Sequence, residues 1–132
     1  MGNTNTTMGW ATLAGIVLVA AGLLGFLNTS IIGSASGALI ATDTIHNIVH
    51  LLTGLIALYI AFGMKGAQQA TAVLGFGVLY AIIFVAVLVS PTLFGIFSVA
   101  ANGPIHVIHA AVALVSLAVG YMARSASPAM AR

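Results

Sequence analysis

Residues 44–64 read TIHNIVHLLTGLIALYIAFGM, twenty-one positions without Asp, Glu, Lys or Arg, closed by Asp43 on one side and Lys65 on the other. A hydrocarbon core about 30 Å thick takes about 20 helical residues to cross, so this stretch is long and apolar enough for one passage. Three more blocks of the same kind lie at about 9–27, 67–89 and 104–122. The formal charges of the 132-residue chain are Asp43, Lys65, Arg124 and Arg132, all at the ends of these blocks, with 3% charged residues, 61% hydrophobic residues and a mean hydropathy of +1.22. A water-soluble domain draws roughly a quarter of its residues from the charged types. In lipid the backbone polar groups must be satisfied internally, which leaves helices or a closed barrel. Barrel strands alternate apolar and polar residues over about ten positions, and continuous apolar blocks exclude that pattern. The expectation is an all-α fold, a four-transmembrane-helix bundle built as one domain over residues 1–132, with no room for a soluble catalytic domain.

Cysteine is absent, which removes disulfides, thiolate metal sites and Fe–S ligation from consideration. The pI near 9.5 rests on three cations against one acid. It counts membrane-flanking charges and does not point to nucleic acid. Lys65 falls between the second and third blocks, and Arg124 and Arg132 follow the fourth, so four crossings put all three on one side. The positive-inside rule makes that side cytoplasmic. A multi-pass protein of the inner (cytoplasmic) membrane follows, with both termini inside, Asp43 outside, and Trp10 and Tyr121 at the inner interface. The first block precedes Ser34-Ala35-Ser36, a small-residue stretch like a signal cleavage site, but lacks a positive n-region. It reads as a retained helix.

The chain matches itself at an offset of 59: His50 on His109, Leu58 on Leu117, Lys65 on Arg124 and Asp43 on Asn102. At an offset of 60, Gly15 falls on Gly75 and Ala21 on Ala81. Two parallel hairpin repeats about a pseudo-twofold axis along the membrane normal would produce these matches. Thr42 or Asp43, and Asn102, suit the N-caps of the second and fourth helices, and Pro104 suits a first turn. The connections 28–42 and 92–101 are long for a bundle, so each is expected to fold down as a cover over the helix ends.

His46, His50, His106 and His109 carry the evident chemistry. The spacings i, i+4 and i, i+3 put each pair on one helix face. The stripes continue through the small residues Gly54, Ala57 and Ala61 on the second helix and Ala113, Ser116 and Gly120 on the fourth. Small residues mark close contacts between membrane helices, so helices two and four are expected to pack along Gly54, Ala57, Ala113 and Ser116. His50 and His109 each lie seven residues into their helices, about 10 Å deep at 1.5 Å per residue. Three readings fit. The imidazoles hydrogen-bond across helices and fix the bundle; His50 and His109 ligate a haem b or another tetrapyrrole from opposite sides; or all four imidazoles hold zinc, copper or iron. Haem propionates commonly meet Arg or Lys, and the cations here sit at the opposite face.

Residues Asn47 to Leu58, NIVHLLTGLIAL, and Asn102 to His109, NGPIHVIH, preceded by LFGIFSVA, resemble the corresponding segments of a family of small bacterial four-helix membrane proteins of unknown function. The resemblance covers about 43–121. It implies the four-helix fold, and it marks Asn47, His50, Gly54 and one of His106 and His109. In this chain a second histidine replaces the usual apolar partner in each pair. The family implies no activity.

Nothing in the chain assembles nucleophile, base and electrophile. The leading expectation is a non-enzymatic scaffold or accessory subunit in the lipid bilayer, without a cofactor, self-associating or joined to other membrane subunits. A haem- or metal-binding electron-transfer subunit is the alternative, and a transporter ranks behind both because midplane polar residues and broken helices are lacking.

Overall fold

The computed structural model describes residues 2–34 and 37–126, with side chains from Thr6 to Ser125. Ser36 and Arg132 lie outside the described residues. The elements are α1 (Gly2–Leu27), β1 (Ile32–Gly33), β2 (Ile40–Ala41), α2 (Thr44–Gly63), α3 (Gly66–Val89) and α4 (Gly103–Ala126). All four helices are long and apolar enough to span a membrane. α1 starts seven residues before its apolar block and α4 runs four beyond, because an apolar run marks the lipid slab and not the limits of the hydrogen-bonded helix.

The bundle is more polar inside than outside. Leu13, Ile16, Leu55, Ile82, Val85 and Leu114 are each half or more exposed, while Thr7, His46, His50, Thr53, Gln69, His109 and Ser116 are buried. Soluble domains show the reverse. A lipid-facing surface explains both sets.

The helix ends follow from identifiable residues. Asn28 takes a left-handed φ of 56° after α1, and its amide donates to Gly25 O at 3.1 Å. This is a helix C-terminus closed by the non-glycine residue that best tolerates that conformation. Only Met64 and Lys65 separate α2 from α3. Gly66 makes so short a reversal feasible with a φ of 57°, a value disfavoured for residues with a Cβ. Gln69, buried in the first turn of α3, reaches back and donates through Nε2 to Ile60 O, Ala61 O and Met64 O at 3.0–3.1 Å. It thereby satisfies carbonyls that the end of α2 would otherwise leave without donors.

Packing runs mainly within two hairpins, α1 with α2 and α3 with α4, and α1 also touches α3 and α4. A Cβ added to Gly54 would lie 2.7 Å from the Val19 amide nitrogen and 3.0 Å from Gly15 O, and one on Gly120 would lie 2.6 Å from the Leu74 nitrogen. The small residues thus seat α2 on α1 and α4 on α3. This corrects the expected α2–α4 seam: among the described residues no Cα of α2 comes within 8 Å of one in α4. Ala57 and Ala113 instead face a shared core with Leu18, Val73, Phe76 and Tyr80. A stripe of small side chains permits close approach without specifying the neighbour. Leu58 covers Gly15, and Leu117, its match in the repeat, covers Gly77. Gly75, matched to Gly15 by the repeat, meets nothing within 4 Å. Trp10 is partly buried and donates Nε1–H to Ser116 Oγ at 2.8 Å, joining α1 to α4, and Tyr121 is 65% exposed.

Candidate functional site: three buried imidazoles beneath a cap

Both long connections lie at one end of the bundle and close it. β1 pairs with β2 in parallel, Ile32 beside Ile40 and Gly33 beside Ala41. Asn102 ties this segment to the other connection: its Nδ2 donates to Ala38 O and Leu39 O at 3.3 and 3.1 Å, and its Oδ1 accepts from the Ala41 amide at 3.3 Å. The Asn102 side chain therefore joins the two covers instead of capping α4.

Asp43 does cap α2, accepting from the His46 amide at Oδ1, 2.8 Å away. Its Oδ2 accepts from the Ser98 amide, from the Ser98 hydroxyl at 2.9 Å and from the Val99 amide at 3.0 Å. Burial by itself would raise this carboxyl. The donors from His46, Val99 and Ser98 outweigh burial and hold it below its ordinary value of 3.8, because hydrogen bonds to the charged form favour that form. One carboxylate thus fixes both the start of α2 and the segment crossing over it.

That crossing segment runs with left-handed φ at Leu93, Phe94 and Gly95, which turns it so that Phe94 faces outward, 71% exposed, while Phe97 is buried at 3% exposure. Phe97 stacks on His46 with ring centroids 4.3 Å apart and planes within 2°. Beneath it lie three imidazoles. His46 and His50 are 4.5 Å apart between centroids, His46 and His109 5.7 Å, and His50 and His109 6.0 Å. All three are at most 2% exposed. One ring nitrogen from each can be chosen so that all lie within 4.8 Å of one another, a spacing from which a single ion can draw three ligands after small rotations.

His50 and His109 are each the seventh residue of their helices, so the depth match expected from sequence is present. His106 is half-buried and outside this group, which reduces the four-imidazole arrangement to three. Spacing i, i+3 separates two side chains by about 60° around a helix of 3.6 residues per turn, and with α4 rotated to aim His109 inward, His106 points elsewhere.

Among the described residues, no hydrogen-bond partner reaches either ring nitrogen of His46 or His50, or Nδ1 of His109. Hydrogen bonding between helices falls to other residues. Thr53 Oγ1 and Tyr80 Oη lie 2.6 Å apart, joining α2 to α3 just below the imidazoles, and the Tyr80 ring stands edge-on to His109 with centroids 6.0 Å apart. Thr53, Gln69, Tyr80 and Phe97 carry no motif that marks them in the sequence. Gln69 is the legible one, an amide inside an apolar span; Tyr80 and Phe97 look like any membrane aromatic. Asn47 faces the other way, against Gly22 and Gly25 of α1. The marked residues Asn47 and Gly54, seven apart, therefore belong to the α1 seam, and His50 to the interior.

Four apolar spans with their polar groups turned inward define a multi-pass integral membrane protein. The sequence matches the family described as Domain of unknown function (DUF4383) over residues 9–122, and the chain belongs to that family. The match takes in most of α1, which the resemblance at 43–121 did not reach. No curated protein and no solved structure matches the chain.

Proposed function

We propose that the protein is a non-enzymatic metal-binding subunit of the cytoplasmic membrane, holding one transition-metal ion between His46, His50 and His109 beneath the cap, with both termini and Lys65 on the cytoplasmic side. The observation that carries this reading is the convergence of three fully buried imidazoles whose ligand atoms lie within 4.8 Å of one another while the ring nitrogens of His46 and His50 have no hydrogen-bond partner. Buried polar atoms in native structures are nearly always paired, and an unpaired group calls for an explanation such as an ion. Imidazole suits zinc, copper, iron and nickel.

The scaffold reading, in which the histidines pin helices by hydrogen bonds, needs acceptors and donors that the surroundings of His46 and His50 do not supply. A haem between His50 and His109 needs a slot for its macrocycle. His46 stands 4.5 and 5.7 Å from those two rings, and Phe97 and Tyr80 pack against His46 and His109, so the space beside the axial pair is filled.

Metal analysis and an absorption spectrum of protein purified in detergent test the proposal. About one metal ion per chain is expected, absent from His50→Ala and His109→Ala and retained in His106→Ala. Metal-free wild type, with His50→Ala and His109→Ala still folded but melting below it, returns the protein to the scaffold reading. A Soret band lost in both His50→Ala and His109→Ala establishes the haem instead.

A further inference from the structure

We infer that the ion suited to His46, His50 and His109 is monovalent copper, in preference to zinc or another divalent ion; the inference rests on the three-imidazole reading above and narrows it.

Ligand number is the first argument. The described residues offer three nitrogens and no fourth donor. The Tyr80 hydroxyl is taken by Thr53 at 2.6 Å, both Asp43 oxygens accept hydrogen bonds from the caps of α2 and the crossing segment, and His106 lies outside the group. Zinc is almost always four-coordinate, and a site with three protein ligands completes itself with water. That water would have to enter a packed layer in which Phe97 lies 4.3 Å from His46 and Tyr80 6.0 Å from His109. Monovalent copper is stable with three nitrogen ligands in a trigonal array and asks for no further room.

Charge is the second. All three ligands are neutral, so the complex keeps the full charge of the ion inside the bundle, where the cost of burying it rises with the square of that charge. The chain's single carboxylate, Asp43, caps the helix that carries His46 and His50. One negative charge balances a monovalent ion and leaves a divalent one uncompensated.

The test uses the full chain in detergent, stripped with a chelator and titrated anaerobically with monovalent copper or with zinc against a chromophoric competitor for each. Binding of one monovalent copper per chain by wild type and His106→Ala, with loss in His46→Ala, His50→Ala and His109→Ala, is expected, and an X-ray absorption edge of three-coordinate monovalent copper should accompany it. Stoichiometric zinc without copper overturns this inference and leaves the metal reading standing. Neither metal bound overturns both. Copper retained after all three histidines are replaced also overturns it, since thioethers such as Met8 and Met64 would then be the ligands.

Discussion

Asp43 does more than its spacing suggested. As an N-cap it satisfies one amide of α2, but with Ser98 and Val99 on its second oxygen it also clamps the segment that carries Phe97 onto His46. Asp43→Asn keeps the shape and loses the charge, so the charge-assisted bonds weaken and one amide donor is pointed at others. A loss of about 1–3 kcal/mol is expected. The pH dependence has a definite sign. Because the folded carboxyl lies below its ordinary value of 3.8, its contribution is complete at pH values above that, and it is lost as pH falls through the depressed folded value. Thermal melts in detergent should show wild type losing more stability on acidification than Asp43→Asn, the comparison that cancels titration of the histidines. Parallel acid profiles for the two proteins would show that the carboxylate does not hold the cap.

Within and between elements, the glycines separate seams from lipid-facing surface. An added methyl at Gly54 or Gly120 runs into the backbone nitrogen of Val19 or Leu74 at 2.7 or 2.6 Å, and backbone cannot rotate away as a side chain can. Gly54→Ala and Gly120→Ala should each cost about 1–3 kcal/mol by overpacking. Gly75 sits in the interior of α3 with nothing within 4 Å, so Gly75→Ala should be neutral or stabilise by up to about 1 kcal/mol through helix propensity. Denaturation of the three variants in mixed micelles distinguishes them; a Gly75→Ala protein as weak as Gly54→Ala would mean that the helix faces are misassigned. Pairing within hairpins was not readable from the stripes on α2 and α4. Those stripes recorded where a helix could be approached, and the partners turned out to be α1 and α3.

For the whole molecule, orientation rests on where the cations fall, and the positive-inside rule turns that into a topology. Cysteines serve to test it at exposed positions on either side. Gln68 and Ser125 lie near the end carrying Lys65 and Arg124, and Ser34 lies at the capped end. Gly66 is unsuitable because of its left-handed φ. In intact cells an impermeant thiol reagent should label Ser34→Cys and spare Gln68→Cys and Ser125→Cys. The opposite labelling pattern would place the cap and its imidazoles on the cytoplasmic side. With the proposed orientation, the capped site lies in the outer half of the bilayer, under a cover anchored by Asp43 and Asn102.

Run length and charge position are properties of the chain taken one segment at a time. From them alone came four spans, the fold class, the tight turn at Lys65, the two covering connections, the Asp43 cap, and the common depth of His50 and His109. What depends on how each helix is rotated and which neighbour it meets could not be read that way. The i, i+3 spacing left His106 and His109 equivalent until α4 was seated on α3. Phe97 came onto His46 only through a left-handed turn inside the loop 90–102, which carries no periodic signal, and Trp10 found Ser116 across 106 positions of sequence. The convergence of three imidazoles from two helices that do not touch through their backbones is a consequence of packing between distant segments, and only the tertiary structure decides it.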